Sequence, residues 1–185
     1  DGAGHFDMDK WRARIDRFKG VNFSSYVSDG TIIGHYLIDE PNDPRNWNGQ
    51  PIPGSVVEQM AKYSKQLWPD MVTIARTWPD YLNDWSGDYV YLDAAWAQYV
   101  AKRFPDPRAF ISTNVSKAQA KGLALIVGLN LIDGSPTRGN MTASQIKEYG
   151  TALLSSSYPC AFISWQYRDT YMASAGVKDA MSDLR

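Results

Sequence analysis

Hydrophobic positions along the chain follow two periods. Residues 7–19, DMDKWRARIDRFK, place Trp11, Ile15 and Phe18 at helical spacing, with Asp7 or Asp9 as cap and Gly20 as stop. NFSSYVSDG forms a short helix or turn, after which 31–38 is an apolar run that reads as a first strand. Residues 54–68 form an amphipathic helix stopped by Pro69, 71–75 a second strand, and 88–93, DYVYLD, a third. Only a short helix around Pro79–Trp85 fits between those two strands. Helices are expected over 94–104 and 108–122, separated by the breaker Pro105-Asp106-Pro107. A fourth strand covers 123–132, a helix capped by Thr142 covers 142–156, a fifth strand covers 160–165, and a last helix runs over 176–185.

Strand and helix alternate, and the strands are continuous apolar runs rather than in/out alternations. That is the pattern of a parallel sheet buried on both faces, so the expected class is α/β. No repeat, linker or low-complexity tract divides residues 1–185, which read as a single domain.

Composition narrows the function classes. The 185 residues are 44% hydrophobic and 21% charged, with a net charge of −1 and the two signs interspersed. Nucleic-acid binding would need a clustered basic face, and a membrane span would need a longer apolar stretch than LALIVGLNLI, so neither partner is expected. A lone Cys160 excludes an internal disulfide framework and reads as a small buried hydrophobe. Sequons at Asn22, Asn114 and Asn140 are what points towards secretion. No dinucleotide fingerprint, phosphate loop or nucleophile elbow occurs, and His5, His35 and Cys160 make no zinc ligand set, so no cofactor is expected. His35, inside an apolar run, reads as a hydrogen-bonded core residue.

In parallel α/β folds the C-terminal strand ends form the functional face. Here they deliver Asp39, Glu40, Pro41 and Asn42; then Arg76, Thr77 and Trp78; then Asp93, Trp96 and Gln98; then Asn130 and Asp133; then Trp165, Gln166, Tyr167, Arg168 and Asp169. Carboxylates, an arginine and flat indole faces suit a sugar, whose C–H faces stack on aromatic rings while its hydroxyls need fixed donors and acceptors. The structural alternative is that strand ends turn polar simply because they leave the core. Arg76 would hold a substrate carboxylate, orient Glu40 or serve an ion pair. Asn130 would bind ligand or belong to a buried network.

The strand ending in Asp39-Glu40-Pro41, followed by further βα units, resembles the (β/α)8-barrel glycoside hydrolases. The resemblance implies that Glu40 is the general acid/base at the end of the fourth barrel strand, and that the five strands are the fourth to eighth. It also implies a TIM-type barrel, about five of eight βα units, with Trp165 at the end of the eighth strand. Retaining members place a second Glu at the end of the seventh strand; GLALIVGLNLIDG supplies Asn130 and Asp133 instead. The partner of Glu40 is therefore sought among Asp93, Asp133 and Asp169, with Asp39 tuning Glu40. Trp78, Trp96 and Trp165 would form the substrate platform, with Asp39, Arg76, Asn130 and Gln166 as further contacts. Alternatives are a non-catalytic carbohydrate-binding barrel and a Mg²⁺- or Ca²⁺-dependent enzyme with the cation on Asp39, Glu40 and Asp43. Five strands leave open sheet edges, so the chain is expected to need other barrel sequence or an oligomer partner.

Overall fold

A computed structural model describes residues 4–174 and 176–184. Helices α1 (Met8–Ile15) and α2 (Ser24–Ser28) precede β1 (His35–Asp39). Then come α3 (Gly54–Leu67), β2 (Thr73–Arg76), α4 (Pro79–Asn83) and β3 (Ala94–Tyr99). The chain continues through α5 (Pro107–Ala120), β4 (Ala124–Asn130), α6 (Ala143–Leu153), β5 (Pro159–Trp165), α7 (Asp169–Met172) and α8 (Val177–Ser182). The strands form one five-stranded sheet in the order β1-β2-β3-β4-β5, with parallel pairings and helices in the crossovers. This is the α/β alternation of an incomplete TIM-type barrel. By internal contacts the chain divides into two compact units, Asp1–Ala95 with Ala120–Leu123, and Trp96–Gln119 with Ala124–Arg185.

In the first unit α3 lays Val57, Met60, Ala61 and Ser64 inward, at i, i+3, i+4 and i+7. Val57 and Met60 are fully buried, each stabilising the unit by about 1.5–3 kcal/mol. They pack with Leu37, Ile38, Ala75, Leu82 and Leu92. Gly54 opens α3 where a Cβ would lie 2.3 Å from the Tyr89 hydroxyl and 2.9 Å from Trp85 Cβ, so only a glycine lets the helix start against that pair. His35 meets the expectation of a hydrogen-bonded residue: Nδ1 lies 2.7 Å from Ser64 Oγ, and the ring stacks on Trp11 with centroids 6.1 Å apart.

The third strand differs from the expected one. DYVYLD is an irregular loop, because its amides are taken by a side chain: the Glu58 carboxylate accepts from Val90, Tyr91 and Leu92 N–H at 2.8, 2.9 and 3.0 Å. The strand is instead Ala94–Tyr99, expected as a helix, and all six of its residues are buried.

In the second unit Tyr99 is fully buried, with ring centroids 5.2 Å from Phe110 and 5.7 Å from Tyr149, fastening the outer face of β3 to α5 and α6. α6 starts as expected, with the Thr142 side chain accepting from Gln145 N–H and Gln145 reaching back to Thr142 N–H. Cys160 is exposed rather than buried, since β5 leaves it outside the packed face; its thiol donates to Leu125 O at 3.5 Å. Among the described residues no helix is long and apolar enough to cross a membrane.

Candidate active site

In the first unit the end of β1 meets the end of β2 around one guanidinium. The register pairs Tyr36 with Ile74 but Ile38 with Ala75, so one extra residue bulges from β1 between them. Two consecutive residues, Leu37 and Ile38, are therefore buried, while Tyr36 and Asp39 are both exposed. Strict alternation would have put Tyr36 and Asp39 on opposite faces. The chain then leaves the strand with Glu40 at φ +43°, in the left-handed region that a non-glycine residue occupies at a cost of about 1–3 kcal/mol. That conformation is pinned from both sides: Glu40 N–H donates to Arg76 O at 2.9 Å, and Glu40 O accepts from the Trp47 indole at 2.9 Å.

As a result both acids reach Arg76. One terminal nitrogen bonds Asp39 Oδ1, and the other lies 3.3 Å from Glu40 Oε1. Glu40 Oε2 accepts from Asn46 Nδ2 at 3.2 Å, and the Glu40 side chain keeps 41% of its surface open to solvent. The closer contact of Arg76 is the one to Asp39. Burial would lower the pKa of Arg76, but Asp39, Glu40 and Tyr36 outweigh it and hold the guanidinium more firmly charged. Tyr36 is pushed well above the usual phenol range, by burial first and then by its hydrogen bond to Asp39 and the charge there.

Asp43 turns to Arg45 through Nε and a terminal nitrogen at 2.5 Å. Asp39, Glu40 and Asp43 thus do not converge on a cation, and no group of three or more His, Cys, Asp or Glu side chains among the described residues does. Trp78 is half-buried at the start of α4. Asp93 is a correction. With the strand moved to Ala94–Tyr99, it stands at the N-terminal end of β3, opposite the face on which it was a candidate. Its carboxylate accepts from Thr73 N–H at 2.8 Å and pairs with Lys65 at 2.7 Å, a tie that anchors the starts of β2 and β3.

In the second unit Trp96 and Gln98 are buried on β3, and Gln98 Nε2 donates to Asn130 Oδ1 at 2.5 Å. Trp165 is 48% exposed at the end of β5, next to an exposed Gln166 across a cis peptide. Asp133 is exposed at φ +52°. Asp169, also exposed, opens α7 and accepts the Tyr167 hydroxyl.

Sequence reasoning missed Tyr36 and Asn46. The first depends on a bulge and the second on a loop path, and neither leaves a pattern in the residues themselves.

No protein-family model matches the chain, and no curated protein matches it in sequence. Among solved structures it is similar to the crystal structure of a GH18 chitinase from Pseudoalteromonas aurantia, with a TM-score of 0.54 and 15% identity. The match covers 88% of this chain and 65% of the chitinase chain. At that identity the likeness is one of fold alone, that of a TIM-type α/β barrel.

Proposed function

We propose that the protein is a glycoside hydrolase acting on a carbohydrate, with Glu40 as proton donor. The observation that carries this reading is the half-open Glu40 carboxyl at the end of a parallel strand, oriented at one oxygen by Arg76 and at the other by Asn46. Asp39, held closer to Arg76 and bonded by Tyr36, keeps the guanidinium from pairing tightly with Glu40. Glu40 is thus held in one orientation with part of its carboxyl open to a ligand, the placement that a proton donor to a leaving oxygen needs.

The acids flanking Glu40 in the chain, Asp39 and Asp43, are each paired with an arginine. A lone carboxyl fits the substrate-assisted route, in which a 2-acetamido sugar brings its own nucleophile. Glu40 protonates the glycosidic oxygen as the C1–O bond breaks, and the acetamido carbonyl oxygen bonds to C1. Water then attacks C1 as the bond between C1 and the acetamido oxygen breaks, giving its proton back to Glu40 and releasing the sugar with its acetamido group restored. Trp78 is the proposed sugar contact of the first unit; in the second, the exposed Trp165, Gln166 and Asp169 are proposed as sugar contacts of that unit.

The test is turnover of N-acetylglucosamine oligomers and of a panel of unacetylated glycosides by wild type, Glu40→Gln and Asp169→Asn. Glu40→Gln should lower kcat by about 100-fold or more while binding persists. Hydrolysis unchanged in Glu40→Gln sinks the reading, and loss in Asp169→Asn to the same degree moves it to a two-carboxylate mechanism. A second reading, a non-catalytic carbohydrate-binding barrel, is favoured by the 48% exposed Trp165 indole. Binding without turnover by wild type would select it.

A further inference from the structure

Gln98 has no role in the proton transfer, yet it is a buried polar residue on β3 of the second unit. Its side chain is 5% exposed and donates from Nε2 to Asn130 Oδ1 at 2.5 Å. Gly128 makes the room: a Cβ there would lie 2.0 Å from Gln98 Oε1 and 2.5 Å from Trp96 Nε1. The bond to Asn130 is made by Nε2, so Oε1 is the end of the amide that lies against Gly128. With Oδ1 committed to Gln98, the Nδ2 amide is the end of the half-buried Asn130 side chain that remains to meet a ligand.

Resting on the carbohydrate reading above, we infer that Gln98 is a positioning residue. It locks Asn130 so that Nδ2 is presented at the end of β4 as a donor to an acceptor oxygen of a bound sugar. A lone asparagine could offer either end of its amide; the lock makes the site read acceptors only. Two oxygens fit that chemistry, an acetamido carbonyl and a ring hydroxyl.

The experiment measures binding of tetra-N-acetylchitotetraose and of cellotetraose by calorimetry to wild type, Gln98→Met, Asn130→Ala and the double variant. Each single change should weaken binding about 3- to 10-fold, the worth of one neutral hydrogen bond. The double variant should bind no more weakly than Asn130→Ala, because the two act as one unit. A loss larger on the acetylated probe assigns the carbonyl, and an equal loss on both assigns a hydroxyl. Single variants that bind both probes like wild type overturn the inference and leave the carbohydrate reading standing. A wild type that binds neither probe overturns both. Side-chain amide exchange by NMR in the ligand-free protein keeps the lock falsifiable without any sugar. Gln98 Nε2 protons should exchange slowly and lose protection in Asn130→Ala; fast exchange in wild type overturns the lock.

Discussion

Glu58→Ala should unfold the loop that replaces the expected third strand. The carboxylate holds three successive amides, Val90 and Tyr91 on Oε1 and Leu92 on Oε2, at 2.8 to 3.0 Å. Hydrogen bonds to a charged group contribute about 1.5–3 kcal/mol each. They do not all count in full. Val90 is 73% exposed and its amide rehydrates at little cost, while Tyr91 is half-buried and Leu92 only 3% exposed. One full bond and part of a second give an expected loss of about 2–4 kcal/mol. Urea denaturation should show a lower midpoint with an unchanged slope. Hydrogen exchange should show Tyr91 and Leu92 amides losing protection ahead of the α3 amides. A loss under about 1 kcal/mol with those two amides still protected would mean that they are held elsewhere, as in a strand, and would refute the role given to Glu58.

Two further outcomes follow from the same unit. Burial lowers the pKa of His35 from 6.5, so the unfolded chain binds the proton more readily than the folded one. Stability is therefore full above pH 6.5 and falls as the pH drops through that value towards the folded-state pKa, with a slope of at most about 1.4 kcal/mol per pH unit. A His35→Gln variant should lose this slope in denaturation measured between neutral and acidic pH; equal slopes in the two proteins would contradict it. On the proposed mechanism, Arg76→Lys should lower kcat about tenfold with little change in KM. A single ammonium cannot bond Asp39 from one nitrogen and reach Glu40 from another, so a kcat equal to wild type would speak against the bridging role.

The four strands that were legible, HYLID, TIAR, ALIVGLN and PCAFISW, lie in short apolar stretches rich in β-branched and aromatic residues between turn or helix signals. The third was not, and its two halves fail for opposite reasons. AAWAQY is rich in helix formers, yet all six residues are buried in the sheet, where small side chains let neighbouring layers approach. DYVYLD has the aromatic and β-branched content of a strand. Its hydrogen-bonding capacity, however, is consumed by a glutamate about thirty positions earlier, on a helix. Propensity describes what a segment prefers when its amides are uncommitted, and here a distant side chain committed them. The exchange moved Asp93 from one end of the strand to the other. A candidate for chemistry thereby became a strut for Thr73 and Lys65.

The end of β1 shows why a strand-end rule finds the right residues for an incomplete reason. By alternation Asp39 and Glu40 should face apart, and only one of them should enter a site. The bulge after Tyr36 and the left-handed turn at Glu40 together cancel that separation, so two residues adjacent in sequence share one guanidinium. Neither acid is then chemically independent. Asp39 is the nearer partner of Arg76 and takes the Tyr36 hydroxyl as well, so its oxygens are occupied in the ligand-free protein. Glu40 has the longer contact to Arg76 and only a 3.2 Å bond from Asn46, so its carboxyl is the less firmly held of the two. The difference between two like residues, one tightly bonded to Arg76 and one loosely held, follows from backbone conformation, because the side chains offer the same functional group. Pro41 fits the same account. Buried directly after Glu40, it cannot extend the ladder, and its carbonyl receives Ile52 N–H, so the chain turns away and leaves the Glu40 carboxyl at the strand end.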